Sequence, residues 1–334
     1  MNKCTEIQPL MVSIRCLVYN HEPYLRQCLD GFVMQKTKFR FEAIVHDDAS
    51  TDNSAAIIRE YAEKYPDIIK PILETENQYS KHDGSLKRIM DSHTRGKYIA
   101  LCEGDDYWTD PNKLQKQVDF MEGHPDYTMC FHDVDIKVEK GREYWDVFGK
   151  LENRDYTISE CIKYWKVPTC SMVIRKNVFD KRPENKKFRV GDNVVVYTCL
   201  SYGKIRCIAK KMGAYRLTPT SWIGAQSDKK QRYMFISHYE GLLESLPICR
   251  CTEMYEIMET QYFLLMSFLK RDGECKEFDR IKEKYQSYPG KVHMNAFYSF
   301  YHRWRFNQIV KCLLGKKITA WIQNNFICYT KWSS

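Results

Sequence analysis

An α/β fold, built on a central mostly parallel sheet and followed by a helical C-terminal region, is predicted by three features of the sequence. Short apolar runs alternate with amphipathic helical patterns from residue 11 to about residue 122, the pattern of strands joined by crossover helices. Two of these runs stop abruptly in acids, at Asp47-Asp48 and at Glu103-Gly104-Asp105-Asp106. Parallel strands share a C-terminal edge, and open α/β sheets bind their ligands there. From about Gln226 the pattern is helical with no clear strands. The expected division is one domain over residues 1–225 and a helical extension over residues 226–334.

The first strand is expected over Met11 to Val18, and Tyr19-Asn20-His21-Glu22-Pro23 turns the chain into a helix with Leu25, Cys28, Leu29 and Phe32 on one face. Pro23 suits the first turn of that helix, where its missing N–H costs nothing. Phe39 to Asp47 is the second strand, and the capping residues Ser50 to Ser54 open a helix striped by Ala55, Ile58, Tyr61 and Ala62. Ile68 to Leu73 is a third strand. A polar link from Glu74 to Gly84 leads to a helix over Ser85 to His93, then to a strand over Lys97 to Cys102. Asp110-Pro111 starts a helix with Leu114, Val118 and Met121 on one side. Further strands are expected at Tyr127 to Val138, Pro168 to Arg175 and Ile205 to Met212. Loops are expected at Glu139 to Asp155 and Tyr215 to Gly224, and helices at Ser159 to Trp165 and from Val194 to Leu200.

Composition narrows the class. The apolar fraction of 43% and charged fraction of 28% are those of a globular protein. No apolar run has transmembrane length, and the polar start from Met1 to Pro9 does not read as a secretory signal, so a cytoplasmic protein is expected. Of 14 cysteines, Cys16, Cys102, Cys130, Cys170, Cys199 and Cys207 lie inside apolar runs, where cysteine acts as a small hydrophobe. No C-x-x-C occurs, which argues for reduced thiols and against structural zinc.

The acidic stretch Lys97 to Trp108 by itself reads equally as a ligand-holding strand end and as a Gly-Asp-Asp turn. Its neighbours decide. Tyr19-Asn20, Asp47-Asp48-Ala49-Ser50-Thr51-Asp52, Glu103-Gly104-Asp105-Asp106-Tyr107-Trp108 and Gly191-Asp192 follow in an order that resembles the family 2 glycosyltransferases, over roughly residues 10–225. The resemblance implies the GT-A fold and an inverting transfer of a sugar from a nucleotide-diphosphate donor, a UDP-sugar, to an acceptor hydroxyl of a glycan or lipid-linked glycan. It also implies a divalent metal, and hard oxygen ligands select Mg²⁺ or Mn²⁺. Carried over residue by residue, it makes Asp105 a metal ligand at the second acidic position of the family's Asp-x-Asp, with Glu103 at the first, where Asp is usual. Asp106 is then a ligand of a sugar hydroxyl or of a metal-shell water. Asp48 corresponds to the acid that recognises the base, its alternative being a helix cap. Tyr19 stacks on the base or is an ordinary surface or core tyrosine. Asp192 corresponds to the general base, its alternative being an N-cap. The segment from Tyr215 lacks the His of the family's Tyr-Arg-x-His, which leaves Arg216, Ser221 or Trp222 for the donor phosphates.

Rival classes have less support. A nicotinamide oxidoreductase needs a G-x-G-x-x-G after the first strand, and none is present. A non-catalytic sugar-nucleotide or carbohydrate binder would use Asp48 and Tyr19 but would need neither Asp105 nor Asp192.

The net charge of +9 is concentrated at one end: from Lys284 onward there are eight Lys/Arg and no Asp or Glu. These bases interleave with Phe297, Phe300, Tyr301, Trp304, Phe306, Trp321 and Trp332. Such a segment suits an anionic membrane surface, or it packs its apolar faces on protein and leaves its lysines solvated. Nucleic acid is disfavoured because no nucleic-acid motif accompanies the charge. Flotation with anionic liposomes separates the first two readings. Membrane binding through the tail makes the full chain float and a chain ending at residue 283 sink, and equal failure to float removes it.

Overall fold

The strands that carry the acids are also the most deeply buried. In the computed structural model, which describes residues 9–141, 144, 146–218, 228–287, 297, 298 and 300–305, the elements run β1 (Leu10–Val18), α1 (Glu22–Val33), β2 (Arg40–Asp47), α2 (Ser54–Lys64), β3 (Ile69–Leu73), α3 (Ser85–His93), β4 (Tyr98–Leu101), β5 (Tyr107–Trp108), α4 (Lys113–Gly123), β6 (Tyr127–Val138), α5 (Ile158–Lys163), β7 (Val173–Arg175), α6 (Lys176–Phe179), α7 (Gly191–Tyr202), β8 (Lys204–Leu217), α8 (Asp228–Ser245), α9 (Thr252–Arg271) and α10 (Cys275–Gln286). One sheet has the order β3-β2-β1-β4-β7-β6-β8-β5. Val12, Ile14 and Cys16 of β1, Ala43 and Val45 of β2, and Tyr98, Ile99 and Ala100 of β4 are fully buried. Helices on both faces account for strands that read as continuous apolar runs rather than as alternating ones.

β1 pairs in parallel with β2 and β4, and β2 with β3. The acids after β2 and β4 therefore emerge on one edge. Three features differ from the sequence expectation. β7 is shorter than the expected strand from Pro168 and runs antiparallel to β4 and β6, because a 3₁₀ turn at Thr169–Ser171, not a crossover helix, delivers it. β8 continues through Tyr215–Leu217, expected as loop, because the long β6 pairs with it in parallel as far as Val138↔Leu217. The two residues of β5 return from the acidic stretch to pair antiparallel with β8. α7 forms despite its β-branched residues, since Val194, Val195 and Val196 are all buried and packing outweighs their modest propensity.

The chain divides into two compact units, Met1–Gln226 with Ser237–Met254, and Ser227–Ile236 with Tyr255–Ser334. In the second unit, Tyr262, Leu265, Met266, Leu269 and Ile281 are buried, and Phe297 is fully enclosed against Phe263 (ring centroids 5.6 Å apart). Tyr301 is also buried, and Trp304 meets Phe268 edge-on. These tail aromatics pack on protein. Phe306, Trp321 and Trp332 lie outside the described residues, as do Ser221 and Trp222. No helix among the described residues is long and apolar enough to cross a membrane. The described cysteines are free thiols, buried except for Cys251 and Cys275.

Trp108 anchors the sheet beneath the acidic edge. It packs on Phe32, and α1 approaches so closely that a Cβ on Gly31 would lie 2.9 Å from the Trp108 backbone nitrogen. Lys113, the first residue of α4, is fully buried with its Nζ 3.7 Å from the centroid of the Trp108 indole and no hydrogen-bond partner among the described residues. Burial lowers its pKa to about 7. Unfolded, the group keeps its proton up to about pH 10.4. The unfolded chain thus binds more protons between those values, and the penalty of the buried amine fades as pH rises through that window. Lys113→Met is expected to stabilise the fold at pH 6 by on the order of 1–3 kcal/mol and by less at pH 9.5. Urea midpoints at the two pH values measure this, and an equal gain at both contradicts the buried-charge account.

Candidate active site

The acidic turn is assembled backbone first. Cys102 N–H donates to Arg15 O (3.2 Å), Gly104 N–H to Leu17 O (3.0 Å) and Asp106 N–H to Glu103 O (3.1 Å), so the chain leaving β4 continues against β1 before it turns. Gly104 is needed for this approach, because a Cβ there would sit 2.8 Å from His21 Nδ1.

The three carboxylates then diverge. Asp106 points inward. Only 2% of it is exposed, and its Oδ1 accepts the Arg216 backbone N–H at 2.8 Å. Burial raises its pKa well above the usual carboxylate range, and the charge of Asp105 adds to this. Glu103 and Asp105 have no side-chain hydrogen-bond or ion-pair partner among the described residues. Solvent reaches the Glu103 side chain, while the protein packed round its carboxylate still desolvates it. That burial, followed by the charges of Asp192 and Asp105, raises its pKa to about 8.

Arg216, expected at the donor phosphates, is turned inward instead. It is 6% exposed, and its guanidinium donates to Asp105 O (2.5 Å), to Glu139 Oε1 (3.1 Å) and to Gln27 Oε1, between the rings of Tyr107 and Tyr24. A guanidinium with every nitrogen in use holds the acidic turn to β8 and α1. Asp106, expected to meet a sugar hydroxyl or a metal-shell water, is likewise a structural latch, because its carboxylate is sealed from solvent.

The second acid pair lies beside the first. Asp48 N–H donates to Val18 O (2.9 Å), which puts Asp48 next to the end of β1 and Tyr19, whose ring is 48% exposed. Asp48 is not free, as the sequence reading had it. Its two oxygens accept the backbone N–H groups of Gln78 (2.6 Å) and Tyr79 (3.0 Å), pinning the turn after β3. Asp52 and Ser50, expected as caps, are not the N-cap of either helix and instead tie this turn to the segment between β1 and α1: Asp52 accepts from Ser54 N–H and Glu22 N–H, and Ser50 Oγ accepts from Asn20 N–H. Asn20 (φ 56°) and Ala49 (φ 60°) hold left-handed backbone at this edge. Asn tolerates that conformation, whereas Ala is strained by it.

Asp192 is the second residue of α7, and its Oδ2 accepts the Thr169 hydroxyl at 2.5 Å. Burial raises its pKa, and the Thr169 bond opposes the rise. Since Asp192 raises the pKa of Glu103, the two carboxylates lie within electrostatic reach of each other. Glu103, Asp105 and Asp192 thus share one neighbourhood, bordered by the strand ends that carry Tyr19 and Asp48.

Sequence reasoning missed three residues here. Burial raises the hydroxyl pKa of Tyr215, and the charges of Asp106, Glu103, Asp192 and Asp105 add to the rise. Its strand was expected as loop, and continued apolar alternation along β8 was the available signal. Tyr79, on the turn pinned by Asp48, is 52% exposed and feels Arg189 and Glu103. Thr169 had no local signal, because its partner lies 23 residues away.

Known proteins share this family and fold. The model of the family described as "Glycosyl transferase family 2" matches residues 13–182. An uncharacterized protein of Mycobacterium tuberculosis is 42% identical over 175 residues, which are 52% of this chain and 50% of that protein. The chain spans about half the length of the curated relatives it matches first. Among solved structures, S. aureus TarS in complex with UDP-GlcNAc superposes with a TM-score of 0.54 at 19% identity, covering 78% of this chain and 72% of that one. The mannosyltransferase PcManGT from Pyrobaculum calidifontis, in complex with GDP-Man and Mn²⁺, gives 0.54 at 13% identity over 95% and 88%. At such identities the likeness shows the fold, which is GT-A.

The latch assignment has a direct check. Arg216→Lys keeps the charge but not the fork, so nucleotide-free protein should lose about 2–3 kcal/mol of stability, seen as a lower Tm. An unchanged Tm with weakened nucleotide binding would return Arg216 to the donor phosphates.

Proposed function

Because the chain belongs to glycosyl transferase family 2, we propose that it transfers a sugar from a nucleotide-diphosphate donor to an acceptor hydroxyl in one inverting displacement. The observation that carries this reading is the electrostatic grouping of two unpartnered carboxylates, Glu103 and Asp105, with a third, Asp192, on a different element. A single displacement needs both parts: an acidic edge that recruits a cation for the diphosphate, and a carboxylate to take the acceptor's proton.

The donor is a UDP-sugar in this reading. Tyr19 offers an exposed ring for the base, and Asp48 keeps lone pairs beyond the two bonds it accepts from the turn at Gln78–Tyr79. TarS holds UDP-GlcNAc and PcManGT holds GDP-Man on the same fold, so the donor panel includes both nucleotides. The acceptor is a hydroxyl of a glycan or lipid-linked glycan.

The donor set fits Mg²⁺ or Mn²⁺. Carboxylate oxygens are hard ligands, and Mg²⁺ is commonly held by one or two carboxylates plus substrate phosphates. Among the described residues no three His, Cys, Asp or Glu are grouped so as to hold a metal ion by themselves. Asp105 and Glu103 are the residues that would hold it, and when bound it neutralises the charge of the departing nucleotide diphosphate. Asp192 takes the proton of the acceptor hydroxyl. The acceptor oxygen forms its bond to the anomeric carbon as the bond from that carbon to the phosphate oxygen breaks, and the nucleotide diphosphate leaves with that electron pair. Burial around Asp192 raises its basicity toward what this proton transfer needs.

Incubation with a panel of UDP- and GDP-sugars and Mn²⁺ should release nucleotide diphosphate from at least one donor. Asp192→Asn should lower that release about 10²- to 10⁴-fold with nucleotide binding intact. Asp105→Asn should weaken Mn²⁺-dependent nucleotide binding in calorimetry. Full activity in Asp192→Asn removes the base assignment.

A further inference from the structure

We propose that Thr169 is a positioning residue for the base: its hydroxyl holds Asp192 Oδ2, so that Oδ1 alone is left to take the acceptor's proton. The inference rests on the reading of Asp192 as that base and adds how the base is aimed.

The direction of the bond is fixed by chemistry. An ionised carboxylate can only accept, so the Thr169 hydroxyl spends its one hydrogen on Asp192 Oδ2, at 2.5 Å. Asp192 Oδ1 has no hydrogen-bond partner among the described residues. An aspartate carboxyl turns easily about its last torsion, whose energy well is broad and roughly two-fold. Left alone, the two oxygens would exchange places, and neither would stay on the line of attack. One bond to one oxygen removes that freedom.

The turn that carries Thr169 is held from several directions. It opens the 3₁₀ turn Thr169–Ser171 and is buried. The next carbonyl, of Cys170, accepts the Trp108 indole N–H at 2.7 Å. Ser171 O accepts the Gln117 side-chain amide at 2.9 Å, and Ser171 Oγ donates to Pro168 O at 2.6 Å. Trp108 closes the same stretch that carries Glu103 and Asp105. The cation-holding acids and the base are thus linked by a short run of bonds, the buried one from Trp108 to Cys170 and the partly buried one from Thr169 to Asp192, with little freedom for the base to drift from the acidic turn.

A hydrogen bond to the charged form makes a carboxylate less basic. The Thr169 bond therefore works against base strength, which leaves orientation as its contribution. That separates the proposal from simple tuning of basicity: losing the hydroxyl leaves a stronger base in a worse place, and the rate falls.

The test uses the full chain, Mn²⁺ and whichever sugar nucleotide of the panel wild type hydrolyses fastest, with nucleotide diphosphate release as the readout. Thr169→Val keeps the branched shape and loses the hydroxyl. It should lower kcat about 10- to 100-fold, the scale of a misplaced reacting group, with KM for the donor and the affinity for the nucleotide diphosphate unchanged. Thr169→Ser restores the hydroxyl and should recover most of kcat. Melting curves of both variants keep loss of fold apart from loss of aim, and Thr169→Ser supplies the comparison if Thr169→Val unfolds: a Ser variant that folds but has lost kcat overturns the proposal. So does wild-type kcat in a folded Thr169→Val while Asp192→Asn is inactive. An active Asp192→Asn overturns the base reading instead, so the two failures are distinguishable.

Discussion

The site depends on how mutually repelling carboxylates can be held on one sheet edge, and the bond from the Arg216 backbone to Asp106 is the central device. Like charges at one strand end raise each other's proton affinity, and a turn bearing three of them in the open would spread. Here one acid is withdrawn. Asp106 is buried against Arg216 N–H, and the Arg216 side chain returns to the carbonyl of Asp105. The same arginine therefore binds the turn twice, once through its main chain and once through its guanidinium. Glu103 and Asp105 remain outward with their repulsion unrelieved, which is the condition under which a divalent cation is most strongly favoured. What looks in sequence like a triplet of equivalent acids is a pair of ligand candidates and a clamp.

Much of this was legible in the sequence, for a physical reason. Strands β1, β2 and β4 are largely buried on both faces, so each reads as a mostly apolar run with few polar residues inside it, and the acids that end β2 and β4 could be placed on one edge from the parallel rule alone. Asp105, Glu103, Asp192, Asp48 and Tyr19 were named from motif order. The direction in which each side chain turns could not be read. Arg216 and Asp106 look like ligands in a motif and become clamps only when β8 is paired with β5. Asp48 looks like a free carboxylate until the turn at Gln78–Tyr79 folds over it. Each of these contacts joins residues 30 or more positions apart, a separation that local periodicity does not encode. The antiparallel course of β7 was hidden for a related reason: a three-residue 3₁₀ turn carries no amphipathic signature.

Beneath the acidic turn the protein accepts an evident cost. Lys113 is sealed against the Trp108 indole without a hydrogen bond, and an unpaired buried amine destabilises the native state. The indole face attracts a cation without needing a counter-ion. Trp108 in turn gives its N–H to Cys170 and its ring to Phe32. The tryptophan therefore serves three elements at once, and the lysine beneath it fills the space on the indole face away from solvent. Hydrophobic residues of similar volume would suit that space better on stability alone.

The proposed base, Asp192, sits where two opposing influences meet. Burial raises the Asp192 pKa, while the Thr169 bond lowers it; its place in the first turn of α7 adds a helix N-terminus, which also favours the ionised form. A base in a single displacement must be ionised when the acceptor arrives and yet be basic enough to take its proton. Burial alone would serve the second need and defeat the first. The hydroxyl and the helix terminus favour the ionised form and offset part of the desolvation that raises the Asp192 pKa. A lysine or arginine partner would stabilise the carboxylate more strongly, but would take from it the basicity that the reaction uses. A neutral hydroxyl holds the oxygen in place and leaves most of that basicity intact.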